Sequence, residues 1–348
     1  MTQLSHDPAT SDVRLHGLHD WLSSLFGSAD FRVSPASADA SFRRYFRVER
    51  SGESFIAMDA PPDKEDMQPY IRVASMLVDV GVNAPKVLHT NIEEGYLLNT
   101  DLGSVTYLAA LDRGADVERL YQDAMAALLK IQVYGSRHAS ALPNYDEALL
   151  RREMALFPDW FCGTHLRLEL DSAEAEQLDA AFDQLVANAL AQPRVLVHRD
   201  YHSRNLMFTQ EARHGANPGV LDFQDAVHGP LTYDLVSLLR DCYVAWPSDR
   251  VYRWVQQYRA RCAAFGLGVG SNEAEFQRWF DLMGVQRHLK AIGIFARLWH
   301  RDGKPGYLKD IPRTLGYVRS VCAGYPELSG LAALIDSKVV PALQTKAS

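Results

Sequence analysis

The feature that most constrains this chain is a short polar stretch between two apolar runs, within residues 195–223. The first apolar run leads into His198 and Asp200, and Asn205 follows that aspartate by five residues. A second apolar run and a turn-rich link come next, and then Asp222 precedes a phenylalanine. In phosphoryl-transfer sites of this layout, the first Asp engages the substrate hydroxyl, while the Asn and the second Asp bind Mg²⁺ on the nucleotide phosphates. The stretch therefore predicts Asp200 as the acceptor of the hydroxyl proton, and Asn205 and Asp222 as metal ligands.

Two basic side chains lie in the same polar stretch. His202 follows Asp200 by two residues and could contact the transferring phosphoryl group, and Arg204 is a second basic candidate. For either residue, orienting the loop is an equally good interpretation. We therefore group Asp200, His202 and Arg204 as the candidate catalytic residues.

Length and composition restrict the class of protein. A chain of 348 residues, 47% of them hydrophobic and 23% charged, is typical of one large globular domain or two coupled ones. The net charge of −7 argues against nucleic acid as the main partner. The four cysteines are scattered, no apolar window is long enough for a membrane span, and the N-terminus has no signal pattern. We therefore expect a cytoplasmic, monomeric enzyme that acts on a small molecule.

The first hundred residues resemble a small lobe built on an antiparallel sheet. Apolar residues at helical spacing predict an amphipathic helix over residues 11–27 and a second one over residues 64–80. Three strand-like runs lie between them, joined by turn-forming residues, and two more strands follow before residue 100. This order of elements matches the small lobe of a kinase-like fold.

Small residues link the first two predicted strands, in residues 37–41. Small side chains let backbone N–H groups approach a phosphate, so this link could bind the phosphates of a nucleotide. The alternative is an ordinary polar turn. Only the polar stretch downstream favours the nucleotide-binding interpretation. At the end of the fifth strand, a short extended link could offer backbone groups to adenine, and here a plain strand and loop is the alternative. The predicted ATP-binding residues are Ser37, Ala38, Ser41, Arg43, Arg44, Asn99 and Asp101.

After residue 99 the composition changes from strand-rich to helix-rich, so we place a lobe boundary between residues 1–99 and 100–348. Helical periodicity predicts several long helices in the second part. One of them begins at Pro230 and runs to residue 246, which would put Asp234 and Asp241 two turns apart on one face. Asp234 could stabilise the backbone of the catalytic loop. Asp241 could reach substrate hydroxyls, and a solvated helix acid is an equal alternative for it.

The last long helix, predicted over residues 273–300, carries several basic side chains. Lys290, Arg297 and Lys304 repeat at intervals of seven, although Gly303 and Pro305 interrupt the pattern before Lys304. A solvated helix face is the favoured interpretation of such a stripe. The alternative is an anion-binding edge of a substrate pocket.

With these residues in place, the chain resembles the aminoglycoside phosphotransferase family, which shares the protein-kinase fold. The family pattern H-x-D-x-H-x-x-N is met by His198, Asp200, His202 and Asn205, and the later D-F pair begins at Asp222. The resemblance extends over about residues 10–330. It implies an α+β, protein-kinase-like fold of two lobes, with a small antiparallel-sheet N-terminal lobe and a mainly helical C-terminal lobe. It also implies ATP and Mg²⁺ as cofactors.

Within that family the chain is most similar to the bacterial anomeric kinases that act on N-acetylmuramate and N-acetylglucosamine. The matching segments are residues 41–46, 57–62, 221–226, 286–290 and 293–298. Those enzymes phosphorylate the C1 hydroxyl of the free amino sugar in peptidoglycan recycling. The similarity implies an ATP:sugar 1-phosphotransferase whose partner is a small amino sugar. The candidate substrate residues are Asp241, Arg287, His288 and Arg297, the last three for the lactyl carboxylate of muramate.

One departure from the kinase pattern lies on the third strand, which has no lysine to hold the nucleotide phosphates. Met58 occupies this strand and cannot make a charged hydrogen bond. Arg43, Arg44 or Lys64 could supply the missing charge, and Arg44 is the first choice because it lies just past the small-residue link.

Two alternatives to an amino-sugar kinase stay open. A kinase of the same fold could act on an aminoglycoside, choline or homoserine, but the basic residues within 286–304 disfavour a cationic substrate. A catalytically inactive nucleotide-binding protein is suggested by the absent lysine. The intact Asp200, Asn205 and Asp222 argue against it.

Overall fold

A computed structural model describes residues 12–38, 42–209 and 214–347. The first helix, α1 (Val13–Phe26), begins where the carboxylate of Asp12 accepts a hydrogen bond from the backbone N–H of Leu15. It ends at Gly27, which has a φ of 63°, in the left-handed region that glycine adopts readily. The predicted amphipathic helix is thus confirmed. Ser41 lies outside the described residues, so the structure says nothing of its predicted role.

Five strands follow and form one antiparallel sheet. They are β1 (Arg32–Ala38), β2 (Arg44–Arg50), β3 (Glu53–Asp59), β4 (Val87–Asn91) and β5 (Tyr96–Thr100). Their spatial order is β1-β2-β3-β5-β4, which confirms the predicted meander of the first three. Strand β1 is longer than predicted, because after a bulge at Pro35 the backbone of Ser37 and Ala38 still pairs with β2.

The two faces of the sheet pack against different helices. On one face, an apolar cluster with members such as Phe46, Ala57 and Leu98 packs against α1. On the other, Met58 and Leu97 join the main core with helix α2 (Gln68–Asp79). Successive side chains of a strand alternate between faces, so Ile56 and Asn99 share the face of Met58 and Leu97. That face borders the cleft described below.

The chain after β5 is mainly helical. Its α-helices are α3 (Tyr107–Asp112), α4 (Val117–Tyr134), α5 (Glu147–Met154), α6 (Ser172–Leu190), α7 (Tyr233–Leu239), α8 (Ser248–Ala264), α9 (Glu273–His300), α10 (Ile311–Cys322), α11 (Ser329–Leu334) and α12 (Val340–Ala347). Short 3₁₀ or π-helical turns join several of them, at Gly135–Ala141, Phe157–His165, Pro305–Asp310, Pro326–Leu328 and Ile335–Val339. Among these described helices, none combines the length and the apolar character that crossing a bilayer requires.

Two short strand pairs lie within the helical part and frame the polar stretch. Strand β6 (Arg194–Val197) pairs with β9 (Val227–Pro230), and β7 (Leu206–Met207) pairs with β8 (Gly219–Val220). The catalytic loop of residues 198–205 therefore begins and ends at a paired strand. This framing fixes both ends of the loop on the buried core.

Helix α9 is the central helix of the second part. It spans 28 residues and packs against α5, α6, α7, α8 and α10. Its backbone passes so close to Leu156 that a Cβ at position 293 would lie 2.4 Å from the Leu156 carbonyl oxygen, which explains Gly293. A helix that is buried on most of its sides belongs to a core. The solvated face favoured for its basic stripe is therefore wrong, since the side chain of Lys290 is only 9% exposed.

The helix predicted to begin at Pro230 is shorter than expected. Helix α7 ends at Leu239, and Arg240 leaves the helical conformation with a φ of −119° and a ψ of 54°. Asp241 therefore lies beyond the helix, where its carboxylate accepts backbone hydrogen bonds from Ser203 and Tyr243. The prediction that Asp234 and Asp241 share a helix face is wrong for this reason.

Candidate active site

A cleft of about 930 Å³ lies between the five-stranded sheet and the helical part. Side chains of β2 and β3 form its upper side, and residues 99–103 border it where the sheet ends. The catalytic loop and the segment after β8 form the opposite side. Helix α9 contributes a wall of side chains from one side of the helix, which are Arg287, Lys290, Ala291, Ile294, Phe295, Arg297 and Leu298. Arg301, directly after the helix, extends this wall.

Two buried carboxylates hold the catalytic loop. Asp234 accepts hydrogen bonds from the backbone N–H groups of His198 and Arg199, at 2.7 and 2.9 Å. Asp241 accepts from the N–H of Ser203 at 2.8 Å. Both side chains are fully buried, and burial raises the pKa of Asp234 to about 6. The loop backbone is thereby held at two places, at its start and at Ser203. Neither carboxylate lines the cleft.

Asp200 lies in the cleft and is partly buried. Burial alone would raise the pKa of its carboxyl, but the positive charges of Lys290 and Arg287 outweigh that effect and hold the pKa below its usual value. Asp200 is therefore an ionised hydrogen-bond acceptor at neutral pH. This state is the one needed to receive a proton from a substrate hydroxyl.

Asn205 and Asp222 are adjacent on the same side of the cleft. The amide N–H₂ of Asn205 donates to the backbone oxygen of Asp200 at 3.0 Å and to Oδ2 of Asp222 at 3.1 Å. Asp222 has a φ of 62°, and its Oδ1 accepts from Gln224 at 2.9 Å. An amide oxygen and a carboxylate brought together in this way are a donor set that fits Mg²⁺, which keeps waters and phosphates as its other ligands.

The two basic residues of the loop differ in charge and contacts. The His202 ring packs edge-on against Tyr243, and burial lowers its pKa to about 4. His202 is therefore neutral at pH 7 and can offer a hydrogen bond but no positive charge to a phosphoryl group. The Arg204 guanidinium stacks over Tyr243 and Tyr307, at 4.6 and 5.4 Å from the ring centroids. Both residues line the cleft.

The two adjacent arginines of the nucleotide side point to opposite faces of the sheet. Arg43 lines the cleft, whereas Arg44 faces α1. The Arg44 guanidinium pairs with Asp12 and, at 2.5 Å, with Asp59, a fully buried carboxylate that also binds Arg14. The structure therefore does not place Arg44 where it could supply the missing positive charge.

Asp101 also has a local structural partner. Its carboxylate accepts from Arg47 Nε at 2.7 Å and from the N–H of Gly103 at 2.9 Å. Burial alone would raise the pKa of Asp101, but these bonds and the charge of Arg47 lower it. Asp101 thus fixes the segment at the end of β5, and both it and Arg47 line the cleft.

We expect Arg44→Ala and Arg43→Ala to affect different properties. Arg44→Ala leaves the buried Asp59 with one guanidinium fewer, so the free energy of unfolding should fall by about 1–3 kcal/mol while the KM for ATP is unchanged. Arg43→Ala should raise the KM for ATP roughly tenfold through the loss of one charged contact. Urea denaturation and steady-state kinetics measure both effects. A raised KM in Arg44→Ala with normal stability would contradict the placement of Arg44.

The basic side chains of α9 are buried beside the catalytic loop. The Arg287 side chain is 5% exposed, its Nη1 is 3.7 Å from the Cys242 sulfur, and its Nε has no hydrogen-bond partner in residues 12–38, 42–209 and 214–347. Arg297 also lines the cleft, with a buried Nε that is unpaired within the same described residues. Both of these predicted substrate residues therefore border the cleft.

His288 lies on the opposite side of α9. Its Nε2 is 2.9 Å from the backbone oxygen of Arg240, and its ring stacks on Tyr317. Burial lowers its pKa to about 3, so the ring is neutral. Of the four predicted substrate residues, the structure thus brings Arg287 and Arg297 to the cleft and leaves Asp241 and His288 outside it.

A buried ionic cluster next to the site is a feature that sequence reasoning missed. Glu153 of α5 is 5% exposed and binds both Arg199 of the catalytic loop and Lys290 of α9. Lys290 Nζ also donates to the hydroxyl of Tyr233 at 3.0 Å. A single sequence offers no signal for this cluster, because its members lie 46 and 137 positions from Glu153.

Comparisons with known proteins agree with this architecture. A description of the phosphotransferase enzyme family matches residues 32–268. The N-acetylmuramate/N-acetylglucosamine kinase of Pseudomonas aeruginosa is 45% identical over 338 residues, covering 94% of this chain and 98% of that protein. The protein of the same name from Neisseria meningitidis is 44% identical and covers 91% of this chain and 94% of its own length.

Solved structures show the fold. The choline kinase LicA from Streptococcus pneumoniae has a TM-score of 0.61 at 12% identity, over 89% of this chain and all of that chain (100%). The ADP-bound aminoglycoside phosphotransferase APH(2'')-Ib has a TM-score of 0.55 at 14% identity, over 86% of this chain and 97% of that chain. The predicted two-lobe, protein-kinase-like α+β fold is therefore confirmed.

Proposed function

This chain belongs to the phosphotransferase enzyme family, and we propose that it transfers the γ-phosphoryl group of ATP to the C1 hydroxyl of N-acetylmuramate and N-acetylglucosamine. The relatives of about 45% identity are named as kinases of these sugars and match more than nine tenths of the chain. The observation that carries the proposal is the position of the ionised Asp200, beside Asn205 and Asp222 and facing the basic wall of α9.

The residues of the cleft suit a direct transfer. The sugar hydroxyl oxygen forms a bond to the γ-phosphorus while the bond from that phosphorus to the bridging β,γ-oxygen breaks, and ADP leaves. Asp200 accepts the hydroxyl proton or holds the hydroxyl in line. Asn205 and Asp222 would hold Mg²⁺, which neutralises charge on the phosphates when it is bound. His202, neutral and close by, can donate a hydrogen bond.

The anomeric hydroxyl fits the character of this site. It is more acidic than an ordinary alcohol because the ring oxygen withdraws electron density. A weak base is therefore sufficient, and Asp200, whose pKa is lowered, is a weak base. Its main contribution in this proposal is to orient the nucleophile.

The basic wall fits the carboxylate of muramate. N-acetylmuramate carries a lactyl carboxylate that N-acetylglucosamine lacks. Arg287 and Arg297 border the cleft with buried guanidinium nitrogens that have no partner within the part of the chain that the structure describes. A carboxylate has the geometry and charge that match a guanidinium. A cationic acceptor such as choline or an aminoglycoside would be repelled by the same residues.

The proposal is tested by identifying the phosphorylated position. We expect Mg-ATP turnover with both free amino sugars, and a product whose ³¹P signal couples to the C1 proton in NMR. The methyl glycosides of the same sugars, in which C1 is blocked, should not be phosphorylated. A panel of aminoglycosides, choline and homoserine serves as the comparison. Phosphorylation of a methyl glycoside, or a product phosphorylated at another hydroxyl, would contradict the proposal.

A further inference from the structure

One buried polar side chain in the cleft has no function in the transfer described above. Asn99, on β5, is only 1% exposed and lines the cleft. Neither Nδ2 nor Oδ1 of its amide has a hydrogen-bond partner in the described segments 12–38, 42–209 and 214–347. Buried polar groups are nearly always paired in native proteins, and leaving one unpaired is costly. An amide in which both groups are unsatisfied therefore indicates that a ligand completes the site.

The surroundings of Asn99 favour a flat, apolar ligand with a polar edge. Ile56 lies opposite Asn99 in the register of β3 and β5, and both side chains line the cleft. Met207 and Leu221 line the cleft from the helical part. Apolar side chains from two opposite sides form a slot of the kind that holds a planar ring. Asn99 therefore lies where it could form hydrogen bonds with the polar edge of such a ring.

Asn99 also lies on the nucleotide side of the cleft. It directly precedes the extended link of residues 100–103, which borders the cleft where the sheet ends. The basic wall of α9 comes from a different element and faces Asp200. The ring next to Asn99 is accordingly the base of the nucleotide and not the acceptor sugar. This inference rests on one part of the proposed function, which is that the protein binds a purine nucleoside triphosphate.

The chemistry of the amide suits both purines. A carboxamide has an oxygen that accepts and an N–H₂ group that donates, and a half-turn about its last bond exchanges them. Adenine presents an N–H₂ donor at position 6, and guanine presents an oxygen acceptor there. We infer that the side chain of Asn99 binds the group at position 6 of the purine and, by turning its amide, accepts either ATP or GTP.

The test measures nucleotide binding without sugar, so its result does not depend on which hydroxyl is phosphorylated. The ligands are ATP, GTP and the triphosphate of unsubstituted purine riboside, which has no group at position 6. Titration calorimetry of the wild-type protein should give similar affinities for ATP and GTP. The unsubstituted purine should bind roughly tenfold more weakly, because one base-edge contact is missing.

A variant isolates the contribution of the amide. Asn99→Leu keeps the size of the side chain and removes both hydrogen-bonding groups, so the preference for ATP over the unsubstituted purine should fall about tenfold. The matched control is Asn91→Leu, the same change on β4 at a residue that does not line the cleft, which should keep the wild-type preference. Melting without nucleotide tests folding, and Asn99→Leu should not lower Tm, because it removes an unpaired buried amide.

Three results would overturn the inference. They are equal wild-type affinity for ATP and the unsubstituted purine, a wild-type preference for ATP over GTP of more than about a hundredfold, and an unchanged preference in Asn99→Leu. The first two need no variant, so a folding defect in Asn99→Leu cannot hide them. If the expected affinities are found while the NMR product is phosphorylated away from C1, the proposed function fails and this inference stands.

Discussion

Asp200→Asn should lower kcat for sugar phosphorylation by about 10²- to 10⁴-fold while ATP binding is retained. The amide has the size of the carboxylate but cannot accept the hydroxyl proton, and it holds the hydroxyl with a weaker, uncharged bond. The proposed ATP-binding residues do not include Asp200, so calorimetric titration with Mg-ATP should give nearly the wild-type affinity. Single-turnover kinetics with N-acetylglucosamine measures the chemical step directly.

The control for this substitution is Asp183→Asn. Asp183 is exposed on α6 and pairs with Arg151 at the surface, so the same chemical change there should leave kcat unaltered. Unfolding curves of both variants show whether either loses structure. An Asp200→Asn variant with nearly normal kcat would remove Asp200 from the reaction, whatever its position in the cleft.

The sequence predicted the elements that depend on local periodicity. The helix predicted over residues 11–27 is observed as Val13–Phe26, and the helix predicted over residues 273–300 as Glu273–His300. The limits of the polar stretch were also visible in the sequence, because the apolar runs on both sides of it are the short strands β6 and β7. Spacing within one segment was sufficient for these features.

The position of Arg44 could have been predicted by a stricter use of strand alternation. Phe46 and Val48 are apolar and two residues apart, so they mark one face of β2, and Arg44 belongs to that face. Tyr45 and Arg47 mark the other face, which lines the cleft. Proximity to the small-residue link favoured Arg44, whereas the period of two assigns it to the side of α1.

Other features depend on contacts between distant segments. Asp241 was placed on a helix by its apolar neighbours, but its bond to the backbone of Ser203 spans 38 positions. Lys290 is buried in an ion pair with Glu153 of α5, and no local pattern predicts that pairing. Periodicity predicts which face of an element is apolar. It does not predict which buried charged residues form pairs between distant segments.

Replacing the α9 arginines by an uncharged residue should affect the turnover of the two sugars differently. Arg297→Met and Arg287→Met should lower kcat/KM for N-acetylmuramate by about 10- to 100-fold, the value of a charged hydrogen bond to a carboxylate. The effect of Arg297→Met on N-acetylglucosamine should be much smaller, because that sugar has no carboxylate. The ratio of the two kcat/KM values, measured in each variant, is the informative quantity.

Arg287 should show a second effect that Arg297 does not. Arg287 is one of the charges that hold the pKa of Asp200 down, so its removal raises that pKa. In the proposed reaction the ionised form of Asp200 is the active one, so the acid limb of kcat/KM for N-acetylglucosamine should move to higher pH in Arg287→Met. Arg297→Met should leave that limb in place.

The matched control is Arg278→Met, on the same helix but paired with Glu327 far from the cleft. It should leave the ratio of the two sugars and the acid limb unchanged. Equal losses for both sugars in Arg287→Met and Arg297→Met would mean that the arginines act on the phosphates or on Asp200 and not on the substrate carboxylate. The basic wall would then serve the reaction in general, and discrimination between the sugars would have to come from the uncharged side chains of the cleft.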